Sequence, residues 1–199
     1  MPVTINGNGT ITGVSVGGLP DGIVDTDMLA ANAVSSAKLA SGAGGKILQV
    51  LQTIKTDVFT TTSTSYVTIT GLAQAITASS TNNKILINVT IYGGNSASEG
   101  TIGFKIGKDG TAIDGNSIGA ASGNNQQSGT MRIRLASTNY TGMGSFMYID
   151  TPADTNAHTY QIMMKTFANT GRIGTTGADG NYNHHMRCPC SITLMEVAG

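Results

Sequence analysis

Charged side chains are scarce in this sequence of 199 residues. They make up 11% of it, against a usual share of roughly 25%, and 11 Lys and Arg residues balance 11 Asp and Glu residues. Nucleic-acid recognition needs clustered cations that neutralise phosphates, and binding to an anionic membrane surface needs a basic patch. We therefore expect neither nucleic acid nor an anionic membrane as a partner.

Long apolar runs and the pattern of a disulfide framework are also missing. No apolar stretch approaches the roughly 20 residues that cross a bilayer, and residues 1–18 lack the basic start and apolar centre of a secretory signal. We therefore expect no membrane insertion, and synthesis in a cytoplasm. Cys188 and Cys190 are two positions apart, which in an extended segment is at or beyond the usual limit for a disulfide.

The residues that are present favour β-structure. Glycine is abundant, tryptophan is absent, and short β-branched runs are separated by turn residues, which is typical of many short strands. From Lys46 onward the pattern predicts an all-β antiparallel sandwich, of the jelly-roll type, with no competing helix. The predicted strands cover residues 47–54, 66–70, 84–92, 102–106, 131–135, 143–149, 158–167 and 191–197.

The alternation of residue types predicts which strand faces are buried. Along residues 84–92, apolar residues at every second position should pack on the core, with Tyr92 on the outer face. Along residues 131–135, the two arginines should point outward. Residues 160–165 and 192–197 are apolar on both faces. Strands of that kind lie centrally in a sheet or against another subunit.

Residues 1–45 have a different pattern, which predicts a repetitive anchor or shaft segment before a head domain of residues 46–199. In a ten-residue sequence repeat, Val24 corresponds to Val34 and Leu29 corresponds to Leu39. Each repeat offers a capping residue and one helical turn with a large apolar anchor. Because so short a helix is unstable unless packed, we expect these four anchors to face the axis of a homotrimer. The alternative is a disordered linker.

The segment 183–190 concentrates the soft metal ligands of the chain. His184, His185, Cys188 and Cys190 are weak candidates for zinc, because adjacent histidines in an extended loop point opposite ways and the cysteines lack the usual spacer. We therefore expect a tip or interface loop without a metal or other cofactor. The alternatives are an ion shared on a threefold axis and ordinary packing.

No set of residues predicts catalysis. A Cys–His nucleophile would need a third, orienting group, and residues 183–190 offer no carboxylate. Asp109, Asp114, Asp150 and Asp154 are conceivable acid–base pairs for glycoside cleavage, but each lies beside a turn residue, so a turn role is preferred. We therefore expect no enzymatic activity.

Amphipathic residues offer stacking and hydrogen bonds to a sugar, although any wet protein interface uses the same types. Tyr140 is one aromatic residue of this kind. The candidates for tip or glycan contacts are Tyr92, Asn124, Asn125, Gln126, Tyr182, His184 and His185.

Four segments carry a family resemblance: residues 17–22 (GGLPDG), 37–40 (AKLA), 46–52 (KILQVLQ) and 148–160 (YIDTPADTNAHTY). Together they resemble virion structural and tail-fibre proteins of marine and cyanobacterial tailed bacteriophages. The resemblance implies a C-terminal jelly-roll head, similar in architecture to complement and tumour-necrosis-factor heads, carried as a trimer on an N-terminal shaft or anchor. It implies no catalytic residues.

The resemblance also implies a place on the exterior of the virion. Only about 45 residues precede the head, which at 1.5 to 3.3 Å per residue suits a short fibre or decoration better than a long tail fibre. Residues 1–45 would then bind other virion proteins of the capsid or tail. The alternative is a receptor-binding tail-fibre tip that adheres to host-surface polysaccharide.

Overall fold

The computed structural model describes residues 4–5, 11–12, 29, 33–34, 38, 46–120 and 129–199. The chain forms two compact units, residues 1–45 and residues 46–199. In the first unit, β1 (Thr4–Ile5) pairs with β2 (Ile11–Thr12) in antiparallel fashion.

The predicted apolar anchors also belong to the first unit. Leu29 and Val34 have 44% and 47% of their surface exposed in the single chain. Val24 and Leu39 lie outside the described residues, as do the helical turns predicted around them. That the four residues face a trimer axis stays a prediction.

Over residues 46–120 and 129–199, the second unit forms strands and one short 3-10 helix, Gly115–Ser117. All eight predicted strands are confirmed, and three strands of two or three residues were missed because so short a segment leaves no alternation to read. In chain order the strands are β3 (Ile47–Lys55), β4 (Phe59–Thr61), β5 (Val67–Thr77), β6 (Lys84–Asn95), β7 (Thr101–Lys108), β8 (Thr111–Ala112), β9 (Met131–Arg134), β10 (Gly142–Asp150), β11 (Ala157–Thr166), β12 (Gly171–Ile173) and β13 (Cys190–Val197).

These strands form two antiparallel sheets. The larger sheet has the order β3-β13-β6-β10, with β4 and β12 continuing the strand positions of β3 and β13. The smaller sheet has the order β5-β11-β7, and β8 and β9 share the strand position on the far side of β7. Numbered along the chain, the described strand positions run first, eighth, third, sixth in one sheet and second, seventh, fourth, fifth in the other. This is the jelly-roll arrangement, so the predicted fold class is confirmed.

The core lies between the two sheets and contains the residues that the apolar–polar alternation predicted to be buried. In β6, Ile85, Ile87, Val89 and Ile91 are almost completely buried. Side chains from the inner faces of β7 and β11 meet them from the smaller sheet, with Phe104 and others at 0% exposure. Burying each such side chain stabilises the fold by about 1.5–3 kcal/mol relative to leaving it in water. In β9, Ile133 is buried while Arg132 and Arg134 are exposed, as predicted.

The two strands that are apolar on both faces are central. β11 lies between β5 and β7, and β13 lies between β3 and β6. Each therefore has a neighbour on both sides, and its inner face is completely covered by the core. The outer face of β13 belongs to the outer surface of the larger sheet.

Candidate functional site

The outer face of the larger sheet carries a group of residues that we call the uncharged face. Register and alternating exposure show which side chains of β3, β6, β10 and β13 point away from the core, and the group is uncharged between Lys84 of β6 at one end and Arg172 of β12 at the other. The residues are Leu48, Val50, Gln52 and Ile54 of β3, Leu86, Asn88, Thr90 and Tyr92 of β6, Met143, Ser145, Met147 and Ile149 of β10, and Ser191, Thr193, Met195 and Val197 of β13.

A row of apolar side chains crosses this face from edge to edge. Val50 is opposite Met195, Met195 is opposite Leu86, and Leu86 is opposite Ile149. The side chains at the two outer strands are the most exposed, and Met147 of β10 reaches 67%. Exposed apolar area costs about 25 cal/mol per Å² relative to burial, so this face gains free energy when another surface covers it.

The outer face of the smaller sheet has the opposite character. The Lys165 ammonium lies 5.0 Å from the ring centroid of Tyr66 and 4.6 Å from that of Phe167. Lys105 lies 5.1 Å from the same Tyr66 ring and 2.7 Å from the Asp114 carboxylate. Burial raises the pKa of Tyr66 to about 12, so its hydroxyl stays neutral. These charged groups contact one another within the chain, and this face is polar.

A loop of residues 174–189 leaves one end of the sandwich between β12 and β13. Because those two strands continue one strand position beside β6, the loop departs and returns at nearly the same point. The Gly174 N–H donates to the Tyr92 carbonyl at 2.8 Å, and the Cys188 N–H donates to the Gly174 carbonyl at 3.2 Å. A further bond of 2.8 Å from the Ala178 N–H to the Thr138 carbonyl holds the loop against the β9–β10 connection. The base of the loop is thus closed.

Three rings cluster within this loop. The Tyr182 and His184 rings stack at 5.7 Å between centroids, and His185 meets His184 edge-on at 4.6 Å and Tyr182 at 5.1 Å. The expectation that the adjacent histidines point opposite ways is wrong. It assumed an extended segment, whereas the chain turns here, with the His185 N–H donating to the Tyr182 carbonyl at 3.0 Å.

Two cavities open on either side of these rings. One, of about 370 Å³, is mainly apolar, and it is lined by Tyr92, Asn139, Tyr140, Thr141, His184, Met186 and Cys188. The other, of about 310 Å³, is mainly polar, and it is lined by Thr175, Asp179, Gly180, Asn181, Tyr182, His185 and Arg187. The first borders the uncharged face, because Tyr92 belongs to both.

The polar cavity has an ordered wall. Asp179 adopts a left-handed backbone conformation with φ +48°, and its carboxylate accepts hydrogen bonds from Thr175 Oγ1 at 2.7 Å and Arg187 Nη2 at 3.0 Å. His185 Nδ1 lies 2.9 Å from the Gly180 carbonyl oxygen. Its Nε2 is buried and has no hydrogen-bond partner among the described residues.

The structure brings together four of the seven residues predicted as tip or glycan contacts. Tyr92, Tyr182, His184 and His185 line these two cavities, whereas Asn124, Asn125 and Gln126 lie outside the described residues. The prediction did not include Asn139, Asp179 or Arg187. Asn139 joins the site only where the β9–β10 connection meets the 174–189 loop, whereas Asp179 and Arg187 belong to the loop and are brought together by its fold.

The four weak metal candidates do not form a metal site within the described chain. No group of three or more His, Cys, Asp or Glu side chains is placed to hold an ion in residues 46–120 and 129–199. Cys190 is buried beneath the sheet, where its sulfur lies 3.4 Å from the Tyr92 amide nitrogen. Burial raises the pKa of this thiol, which disfavours the thiolate that a metal or a nucleophilic reaction needs.

Three of the four carboxylates considered for acid–base chemistry meet at one side-chain cluster. His158 Nδ1 lies 2.6 Å from Asp109 Oδ2, and its Nε2 lies 3.0 Å from Asp154 Oδ1. Asp150 accepts from Lys108 Nζ at 2.9 Å and from the Tyr160 hydroxyl at 2.6 Å. Each carboxylate therefore faces a cationic or potentially cationic partner, as Asp114 faces Lys105. These groups tie the β7–β8 turn to the β10–β11 connection.

Comparison with known proteins places few constraints on the function. No protein-family model matches the chain, and no curated protein matches it in sequence. Among solved structures, it is similar to infectious bursal disease virus Gx strain, with 17% identity and a TM-score of 0.40. It is also similar to the VP2 subviral particle of infectious bursal disease virus, with 15% identity and a TM-score of 0.35.

Both similarities are partial. Each covers 76% of this chain but only 37% of the viral chain. At TM-scores below 0.5 they establish no shared function. Within the part of the chain that the structure describes, no helix is long and apolar enough to span a membrane.

Proposed function

We propose that the protein is a non-enzymatic structural component of a tailed-phage particle, which assembles as a homotrimer on the exterior of the virion. In this proposal residues 1–45 attach the assembly to the capsid or tail. Residues 46–199 then project from the particle as a short fibre or decoration. The proposed location on the virion rests on the sequence segments that resemble virion proteins. The proposed self-association rests on the uncharged face.

The uncharged face favours a second copy of the chain as its partner. Four strands spaced about 4.8 Å apart give it roughly 400–500 Å² in projection, which is the size of the largest, often functional, patches on monomers. A face without charge offers nothing to a charged partner, but it is complementary to another uncharged face. The exposed Leu29 and Val34 also favour self-association, because a symmetric assembly buries the same residues in every copy.

The arrangement of reactive groups supports a structural role. The carboxylates that resembled acid–base pairs contact cations or a tyrosine hydroxyl, and the buried Cys190 is held as a thiol. Groups engaged in this way connect loops, and none is left poised to transfer a proton to a substrate.

Light scattering of the purified full chain tests the assembly. We expect a particle of three times the chain mass of 20.3 kDa. Met147→Lys places a charge at the most exposed apolar side chain of the uncharged face, on the outer strand β10, and should give monomers, because burying an unpaired ammonium costs several kcal/mol. Thr70→Lys, at an exposed position of β5 in the smaller sheet, is the matched control and should remain trimeric. A wild-type monomer at micromolar concentration would contradict the proposal.

Quantitative mass spectrometry of purified virions tests the location. Many copies spread over the capsid would support a decoration, and a few copies would move the protein to the tail. Absence from particles, or hydrolysis of host polysaccharide by the purified chain, would overturn the structural role.

The alternative function is a receptor-binding tail-fibre tip that adheres to host-surface glycans. The observation that favours it is the ring cluster of Tyr182, His184 and His185 between two cavities at the end of the sandwich. A tip role would combine a trimeric shaft with a ligand site on an exposed loop.

A further inference from the structure

We infer that the two cavities beside the 174–189 loop are adjoining subsites for a neutral, hexose-containing glycan. This inference deepens the alternative function proposed above and does not depend on the trimer. It assigns the apolar cavity to the face of one sugar ring and the polar cavity to the hydroxyl groups of the next.

The apolar cavity has the chemistry that recognises the C–H face of a sugar. Tyr92, Tyr140 and His184 supply aromatic surface, and Asn139 and Thr141 supply hydrogen-bonding groups at the edge. Tyr140 is 61% exposed, so its ring is accessible to a ligand. Aromatic side chains with one polar end and one apolar face suit a ligand that has the same two kinds of surface.

The polar cavity has the chemistry that recognises adjacent hydroxyl groups. The Asp179 carboxylate and the Arg187 guanidinium present acceptors and donors side by side, and Asn181 adds an amide. His185 also lines this cavity, where its Nδ1 lies 2.9 Å from the Gly180 carbonyl oxygen and its Nε2 is buried.

The charge of the site selects a neutral ligand. Arg187 is paired with Asp179 at 3.0 Å, so the guanidinium is already neutralised before any ligand arrives. An acidic sugar would meet the Asp179 carboxylate as well as the arginine and would gain no net ion pair. Tyr182, which is 63% exposed and lines the polar cavity, stacks on His184, which lines the apolar cavity. A glycan of two or more sugars would place one sugar on each side of this stacked pair.

The closed base of the loop makes this a preorganised site. The bonds of Gly174 and Cys188 fix the loop at its base, and the bond from Ala178 to Thr138 fixes it against the β9–β10 connection. Rings and polar groups held in this way lose little conformational freedom when a ligand binds.

Saturation-transfer difference NMR on the full chain tests the inference with maltose, lactose and cellobiose as neutral probes and sialyllactose as the acidic one. At about 10 mM of each sugar, even millimolar affinity gives a signal, and we expect it for at least one neutral disaccharide. Tyr140→Ala and Tyr182→Ala should each weaken binding by about tenfold, because each removes one stacking surface. Phe167→Ala removes a ring that is 50% exposed beside the smaller sheet and should leave binding unchanged.

The outcomes separate this inference from the assembly proposal. No signal for any neutral probe, or unchanged binding in both tyrosine variants, overturns the glycan site. Stronger binding of sialyllactose than of lactose overturns the assignment to neutral sugars. Light scattering on the same samples reports the trimer, so a monomer that binds lactose contradicts the assembly and leaves the glycan site intact.

Discussion

Glu196 is the buried carboxylate that sequence reasoning missed, because it looks like a polar end to the last strand. It points inward from β13 and accepts hydrogen bonds at 2.6–2.7 Å from Gln49 Nε2, Asn83 Nδ2, and the amide and hydroxyl of Ser79. Burial alone would raise its pKa, but these donors outweigh it and lower the pKa to about 2. The charged form is thus stabilised by the fold.

Replacing this carboxylate should destabilise the head. In Glu196→Gln, an amide group faces donors that the carboxylate satisfied, so we expect a loss of about 2–4 kcal/mol in the free energy of unfolding at neutral pH. Urea unfolding measures it, with Glu99→Gln as the control, because Glu99 forms an exposed ion pair with Arg134 worth less than about 1 kcal/mol.

The difference between wild type and Glu196→Gln should also depend on pH. The folded-state pKa of Glu196 is depressed, so its stabilisation is complete above the unfolded value of 4.5 and is lost as the pH falls toward about 2. A difference that stays constant across that range would show that the charge is not what the network stabilises.

His158 gives the opposite pH dependence. Its hydrogen bond to Asp109 raises its pKa above 6.5, burial opposes this, and Asp154 adds to the increase. The stabilisation is therefore complete below 6.5 and is lost as the pH rises through the elevated folded-state pKa. Its partners have lowered pKa values: the His158 hydrogen bond lowers that of Asp109, and the Asn156 amide lowers that of Asp154. The stabilisation from these two carboxylates therefore persists to pH values below 3.8, their ordinary pKa.

Thermal unfolding of wild type and His158→Gln checks this. We expect the variant to be less stable near pH 5 and the gap to narrow near pH 9, since only the protonated ring bridges both carboxylates. The other charged or titratable groups at this cluster are Lys108, Asp150 and Tyr160. A gap that widens with rising pH would rule out the bridged imidazolium.

At the scale of single elements, the sequence predicts strands well where the alternation is unbroken. β10 alternates from end to end, and β6 alternates over the predicted residues 84–92 before ending in three buried residues. β5 does not: its prediction stopped at residue 70, yet the strand runs to Thr77. Gly71 adopts φ +81°, and the register against β11 shifts at this point, so Ile69 and Leu72, three positions apart, both face the core. A β-bulge shifts the inward–outward alternation of side chains by one residue, and the sequence alone does not predict its position.

The candidate site was predictable only in its local part. Tyr182, His184 and His185 were identified by type, because aromatic and polar residues in a Gly-rich loop favour binding. Their neighbours Asn139 and Tyr140 come from the β9–β10 connection, more than 40 residues earlier in the chain. That contact depends on β12 and β13 sharing one strand position. Strand positions are set by the topology of the whole sheet, so no short sequence segment predicts the contact.

At the scale of the whole molecule, the two outer faces of the head differ in charge and the first unit has exposed apolar anchors. If Leu29 and Leu39 face a trimer axis, Leu29→Asp and Leu39→Asp should each raise the monomer fraction by at least tenfold, because three carboxylates would meet at one axis. Ala33→Asp, at an exposed position between the anchors, is the control. Analytical ultracentrifugation gives the fractions, and equal effects at all three positions would place the anchors away from the axis.

The closed base of the 174–189 loop has a consequence for how this fold can diversify. Because Gly174 and Cys188 are already joined by a backbone hydrogen bond, the base of the loop is held independently of its outer part, and Asn181, Tyr182, Asn183, His184 and Met186 are exposed. Doubling the length of such a loop costs only about 0.6 kcal/mol in closure entropy. Foreign peptides grafted between Asn181 and Met186 would therefore be displayed outward without disturbing strand register, which makes this loop a natural point for new specificities to evolve or to be engineered.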